Sequence, residues 1–171
     1  GTALVAGNRN IMVGCKAALA MTAATHNVAI GQLAMSGITT GAALCNIAIG
    51  VSALVGAAGT TGVNNIAIGT SAMDALTTGA CNIAMGKDAY GVASTGNLNV
   101  AIGLCALGKC LTTGIDNIAM GQTALAKLTS GICNVAIGTN ALCASTTGCR
   151  NIAIGDHTLS HGVTTGVKNI A

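Results

Sequence analysis

Asn65-Ile66-Ala67-Ile68-Gly69-Thr70-Ser71-Ala72-Met73-Asp74-Ala75-Leu76-Thr77-Thr78-Gly79-Ala80-Cys81 is one turn of a pattern that fills the chain. Its first five residues recur as Asn-[Ile/Val]-Ala-[Ile/Met]-Gly almost without error. The Asn falls at Asn10, Asn27, Asn46, Asn65, Asn82, Asn99, Asn117, Asn134, Asn151 and Asn169, at spacings of 17, 19, 19, 17, 17, 18, 17, 17 and 18 residues. After the Gly come two variable residues, then Ala-[Leu/Met/Tyr], a short variable stretch, and Thr-Thr-Gly or a close variant. Ten in-phase copies exclude coincidence, and a period of this size is the signature of a repeat architecture. The copy from Asn10 is the most degenerate, with Met12 in the Ala column and no Thr-Thr-Gly.

Stacking the copies gives columns. The residue after Asn is always Ile or Val, and the residue two places on is Val, Ile or Met. β-Branched residues at a spacing of two read as a short strand with both side chains on one face. Between them stands the Ala column of Ala48, Ala67, Ala84, Ala101, Ala119, Ala136 and Ala153. An ordinary solenoid places polar residues on its outward face. A small apolar column there predicts a strand covered on both sides, with room for another chain to approach. The Gly column of Gly50, Gly69, Gly86, Gly103, Gly121, Gly138 and Gly155 ends each strand at a position tolerant of unusual dihedrals. The Asn column reads as a turn residue whose stacked amides form a ladder. In the second half of each rung, such as Ala124-Leu125-Ala126-Lys127-Leu128, the spacing suits a second, bulged strand better than a helical turn. Length varies only between the Ala-Leu pair and the next Asn, so corner loops absorb the insertions.

The predicted fold is therefore all-β: a parallel β-solenoid or β-roll of 17–19-residue rungs, packed or intertwined as a parallel homotrimer. Residues 1–171 read as a single array of about nine rungs. The chain starts without Met and stops inside a motif, and neither end offers the polar cap a solenoid needs, which predicts a window of a longer fibre protein.

Composition narrows the function. The chain has no Phe, Trp, Pro or Glu, and Tyr90 is its only aromatic residue. A core without aromatics must be thin and regular. The basic residues Arg9, Lys16, Lys87, Lys109, Lys127, Arg150 and Lys168 are scattered singly, whereas nucleic-acid binding needs a concentrated basic face. Mean hydropathy is +0.71, yet no apolar run approaches the length of a spanning helix, so membrane insertion is not expected. High hydropathy without such a segment predicts apolar surface buried against other copies.

Eight cysteines (Cys15, Cys45, Cys81, Cys105, Cys110, Cys133, Cys143, Cys149) have no partner directly above them in the stacked columns, and only Cys133 and Cys149 come near, diagonally. They read as free thiols filling Ala- or Val-sized sites, which suits assembly in a reducing compartment. No Cys-x-x-Cys is present to hold a metal. His157 and His161, beside Asp156, read as an exposed corner loop in preference to an axial metal site. The Thr pairs (Thr39-Thr40, Thr60-Thr61, Thr77-Thr78, Thr112-Thr113, Thr146-Thr147, Thr164-Thr165) read as corners with hydroxyl-to-backbone bonds. An ice-binding face would put two hydroxyls on one side through Thr-x-Thr. Asp74, Asp88, Asp116 and Asp156 occupy four different columns, so no carboxylate pair for glycoside hydrolysis is evident. Ile49-Gly50-Val51-Ser52-Ala53-Leu54 is similar to one unit of the hexapeptide acyltransferases, but that unit should recur three times per turn. No cofactor, metal or catalytic residue is expected.

The stretch Asn-Ile-Ala-Ile-Gly-x-x-Ala-Leu with Thr-Thr-Gly resembles the repeats of long phage tail fibres that often carry a C-terminal intramolecular chaperone. Its Asn-x-Ala-Ile-Gly core also resembles the head repeat of trimeric autotransporter adhesins. The resemblance covers nearly the whole chain, departing from the adhesin head in its longer period and from both families in its cysteines. It implies a parallel homotrimer in a virion tail fibre or at a cell surface. The expected role is a structural shaft that spaces a tip from its base, contacting the host through regions outside this segment. A monomeric ice- or surface-binding solenoid is the alternative, and a hexapeptide-type acyltransferase the third.

Overall fold

The computed structural model describes residues 7–39, 43–56, 60–92, 95–161 and 165–171. Among these residues, nine strands of three residues each form one parallel sheet in chain order: β1 (Ile11–Val13), β2 (Val28–Ile30), β3 (Ile47–Ile49), β4 (Ile66–Ile68), β5 (Ile83–Met85), β6 (Val100–Ile102), β7 (Ile118–Met120), β8 (Val135–Ile137) and β9 (Ile152–Ile154). The result is a β-solenoid, as the repeat predicts. Register follows the columns without slippage: Ala67 pairs with Ala84, Ala84 with Ala101 and Ala101 with Ala119. Rungs of 17 and 19 residues share this register, so the extra residues are taken up at the corners and the ladder is untouched.

Side-chain parity is the reverse of that expected from the β-branched pairs. In the rungs of β2–β9 Asn and the central Ala point inward, and the flanking Ile, Val or Met residues point out. Ala67, Ala84 and Ala101 are fully buried, whereas Ile49, Met85 and Met120 stand more than one-third exposed. The cause is the Asn. Successive strand residues alternate faces, so an inward Asn dictates inward Ala two positions on. The coil is thin, and its opposite wall fills it with Met73, Leu107, Leu125 and Leu142, all buried. Only Ala fits between that wall and the strand.

That opposite wall is not a second strand. It is a run of turns in which every other residue is left-handed: Ser71 at φ 54° and Met73 at 53°, Asp88 at 55° and Tyr90 at 52°. A third left-handed residue precedes each Asn, as at Cys81 and Cys133. Single residues in this region cost on the order of 1–2 kcal/mol. They persist because each turn is fastened above and below. Ser71 N–H donates to the Val51 carbonyl of the preceding rung (3.0 Å), and Met73 N–H to the Ala89 carbonyl of the following one (3.1 Å). Between them Ala72 N–H closes a local turn on Gly69 (3.4 Å). The wall is thus a hydrogen-bonded ladder without extended backbone.

Candidate functional site

The columns singled out in the sequence are the structural spine. Asn27 through Asn151 are buried and linked in one continuous chain of amides. Asn117 shows the unit. Its backbone N–H and Nδ2 both donate to Asn99 Oδ1 (3.0 Å each), and Nδ2 also donates to the Gly131 carbonyl (2.9 Å). Its own Oδ1 accepts from the N–H and Nδ2 of Asn134 (3.0 Å each). The stacked amides form the ladder that the sequence suggested, and it runs through the interior, so the Asn column is a core element. Among the described residues, no buried side-chain nitrogen or oxygen lacks a partner.

The Gly of Thr-Thr-Gly belongs to the same network, a role that sequence reading missed. Gly62, Gly79, Gly114, Gly131 and Gly148 each place their carbonyl on an Asn Nδ2 at 2.7–2.9 Å. The strand-ending Gly column is enforced twice over. Gly121 has φ +131°, and a Cβ there would lie 2.5 Å from the Gly138 carbonyl oxygen. The first Thr of two pairs is buried and bonds to the neighbouring rung, Thr60 Oγ1 donating to the Leu76 carbonyl at 3.3 Å and Thr112 Oγ1 to the Leu128 carbonyl at 2.9 Å. Thr40 and Thr164 lie outside the described residues.

The cysteines are all free, but they do not fill the core. Cys15, Cys45, Cys81 and Cys133 are exposed and the other four half-buried. Three of the exposed thiols occupy the left-handed position before Asn, where an inward side chain is impossible because the Asn itself points in. His157 lies exposed. Its Nδ1 bonds Asp156 Oδ1 at 2.8 Å, and its Nε2 accepts from Asn140 Nδ2 at 3.1 Å. His161 instead pairs with Ser160 Oγ at 2.9 Å. The two imidazoles thus have separate partners, and no group of three or more metal-ligating side chains is assembled among the described residues.

Asp74 and Asp88, which the columns kept apart, do meet electrostatically across adjacent rungs. Burial, and then the Asp88 charge, raise the Asp74 carboxyl above the ordinary range. Asp88 is itself tied to Lys87 Nζ. No pocket opens among the described residues to bring a substrate to either carboxylate. One three-residue strand per rung also separates this coil from the three-sided turn that a hexapeptide repeat would give. No described helix is long and apolar enough to cross a membrane.

What remains is the outward face of the sheet. Two columns of Ile, Val and Met run its full height without a polar or charged side chain, from Ile11 and Val13 to Ile152 and Ile154. No protein-family model, curated protein or solved structure matches the chain.

Proposed function

We propose that this array is a structural shaft: a rigid spacer in a trimeric fibre, of the phage tail-fibre or adhesin-stalk kind, displayed on a virion or at a cell surface. The observation that carries the reading is the unbroken, in-register stack of nine strands on a fully satisfied buried Asn ladder. Such a stack transmits force and sets distance, because each rung is hydrogen-bonded to the next along both the strand and the turn wall. The repetitive surface, with one Tyr and two Arg in the chain, offers few of the side chains that dominate recognition hot spots. In this reading host contact belongs to regions outside the segment, and no nucleic acid, membrane insertion, cofactor or catalysis is involved.

Length is the test. Residues 82–116 comprise two whole rungs, of 17 and 18 residues. Their removal joins Cys81 to Asn117 with the left-handed position and the Asn phase intact. The rod should shorten by about 10 Å, at ~4.8 Å per rung, by small-angle scattering or electron microscopy. Attachment specificity of the full fibre should be unchanged. A switch in ligand or host preference would place recognition in these rungs and defeat the spacer reading.

A further inference from the structure

We infer that the outward Ile/Val/Met stripe, and not the Ala column, is the surface on which copies of this chain pack against one another, parallel and in register. The inference rests on the shaft reading above and names its contact surface. The sequence suggested the Ala column as the meeting place, but Ala67, Ala84 and Ala101 are fully buried within a single chain, leaving nothing for a second chain to touch.

Three features of the stripe argue for a second copy as its occupant. First, its size is right. Of the sixteen flanking side chains of β2–β9, seven are more than one-third exposed and nine are half-buried, on the order of 50 Å² each on average. Together they present on the order of 800 Å², which is what one partner contributes to a standard stable interface. Soluble monomers rarely leave a contiguous apolar patch of that extent open. Second, its anatomy is that of an interface: the centre is purely apolar, while exposed Arg9, Asp116 and Arg150 stand on one border and Lys87, Gln122 and Asp156 on the other, with Leu98, Val51 and Leu104 widening the apolar band between them. Third, its pitch is specific. The outward side chains form ridges repeated once per strand spacing, ~4.8 Å, and the register does not drift where rungs lengthen. A second copy presents the same ridges at the same pitch by construction. Rotation about an axis parallel to the coil brings each rung against the same rung of its neighbour, so the contact made by one rung is repeated by every other along the whole length. An irregular partner matches over one or two rungs only.

The native chain carries its own probes. Met85 and Met120 lie in the stripe at 40% and 38% exposure, whereas Met35 and Met73 are fully buried within the chain. Peroxide converts exposed Met to the sulfoxide. In the assembly Met85 and Met120 should oxidise at least tenfold more slowly than after dilution to monomer, with Met35 and Met73 slow in both. Light scattering should give a whole-number multiple of the 16.4 kDa chain. The quadruple variant Ile49→Thr, Ile68→Thr, Ile102→Thr, Ile137→Thr keeps β-branching at every site and should fall to monomer mass with its β circular dichroism retained. An assembly in which Met85 and Met120 stay reactive, or a folded quadruple variant that keeps wild-type mass, would assign association to another face. Either result overturns this inference and leaves the spacer reading to the rung deletion. A wild-type monomer at about 100 µM overturns it too. A monomer that arrests ice growth would also give the stripe to a crystalline surface.

Discussion

Replacing Asn117 by Ala tests the amide ladder at its centre. The substitution removes the donor that satisfies the Gly131 carbonyl and the acceptor that satisfies the Asn134 N–H. Both groups belong to buried residues. Asn99 Oδ1 keeps the backbone N–H of residue 117, and Asn134 Nδ2 keeps the Gly148 carbonyl at 2.7 Å, so two groups are orphaned. Each costs about 1–3 kcal/mol, giving a loss of roughly 4 kcal/mol, with a water in the vacated space pulling the figure toward 2. That is a large part of the 5–15 kcal/mol typical of a domain. Because each rung contacts only its neighbours, the loss should be local. Amide hydrogen exchange should accelerate most in β6, β7 and β8, and the urea transition should move to lower concentration or split. Gln122→Ala, at an exposed position five residues away, should change stability by less than about 0.5 kcal/mol. Asn117→Asp sharpens the test. It keeps an acceptor for Asn134 but sets a carboxylate oxygen against the Gly131 carbonyl, so its folded pKa must rise. Its stability is then highest below the unfolded carboxylate pKa of about 3.9 and falls as pH increases. A loss below about 1 kcal/mol for Asn117→Ala, with unchanged exchange, would show that the ladder is a passenger of the fold.

Gly121→Ala should cost several kcal/mol in urea unfolding, since the new Cβ meets the Gly138 carbonyl oxygen at 2.5 Å in a backbone conformation that L-residues avoid; a loss under 1 kcal/mol would refute the close-approach argument. Tyr90 is buried, and that burial raises its phenol well above the ordinary value, against a smaller lowering by the Asn99 amide bonded to it at 2.9 Å. Its contribution to stability is full below the unfolded pKa near 10 and declines as pH rises above it. Tyrosinate absorbance at 295 nm should therefore appear only together with loss of the β circular dichroism, and ionisation at pH 10 in the folded chain would contradict the burial. Alkylation without reductant should modify Cys15, Cys45, Cys81 and Cys133 fastest in the native protein and all eight thiols after denaturation; two or more protected thiols in the denatured chain would reveal disulfides.

The strand and its register were legible because they depend on the shortest-range signal in the chain. Ile66-Ala67-Ile68 followed by Gly69 has the alternation of a strand and a residue that ends it, and ten copies fix the pairing. The facing of that strand was not legible from the Ile residues alone. Two β-branched side chains on one face identify the strand but not which face meets the core, since apolar residues can be covered by the same chain or by another. The deciding residue is Asn117 and its equivalents, whose burial depends on the Thr-Thr-Gly carbonyls that receive their amides. Those lie 14 residues further on at Gly131, so no local window holds both partners. In the same way Asp74 and Asp88 looked separate because column arithmetic ignores how far a carboxylate reaches between rungs.

The sequence does carry a signal for the opposite wall. The position four after the strand-ending Gly is buried in nearly every rung, yet it holds Ala18, Met35, Leu54, Met73, Tyr90, Leu107, Leu125, Leu142 and Leu159, and never Ile or Val. In a chain this rich in Ile, a buried apolar column that excludes β-branching is a statement about backbone: a second branch on Cβ is disfavoured where φ is near +50°, and Thr123 is the one β-branched residue among the described left-handed positions. The positions two after Gly and one before Asn exclude Ile and Val as well, and they too are left-handed. The three columns together rule out a second strand, where Ile and Val would be favoured. They leave the turn ladder as the one wall that both buries Leu125 and keeps its N–H bonded, to Ala141 at 3.0 Å. Ile residues are thereby confined chiefly to the strand. With Asn and Ala claiming its inner face, they emerge on the outer one, so the apolar stripe on the surface follows from the dihedral demands of the wall behind it.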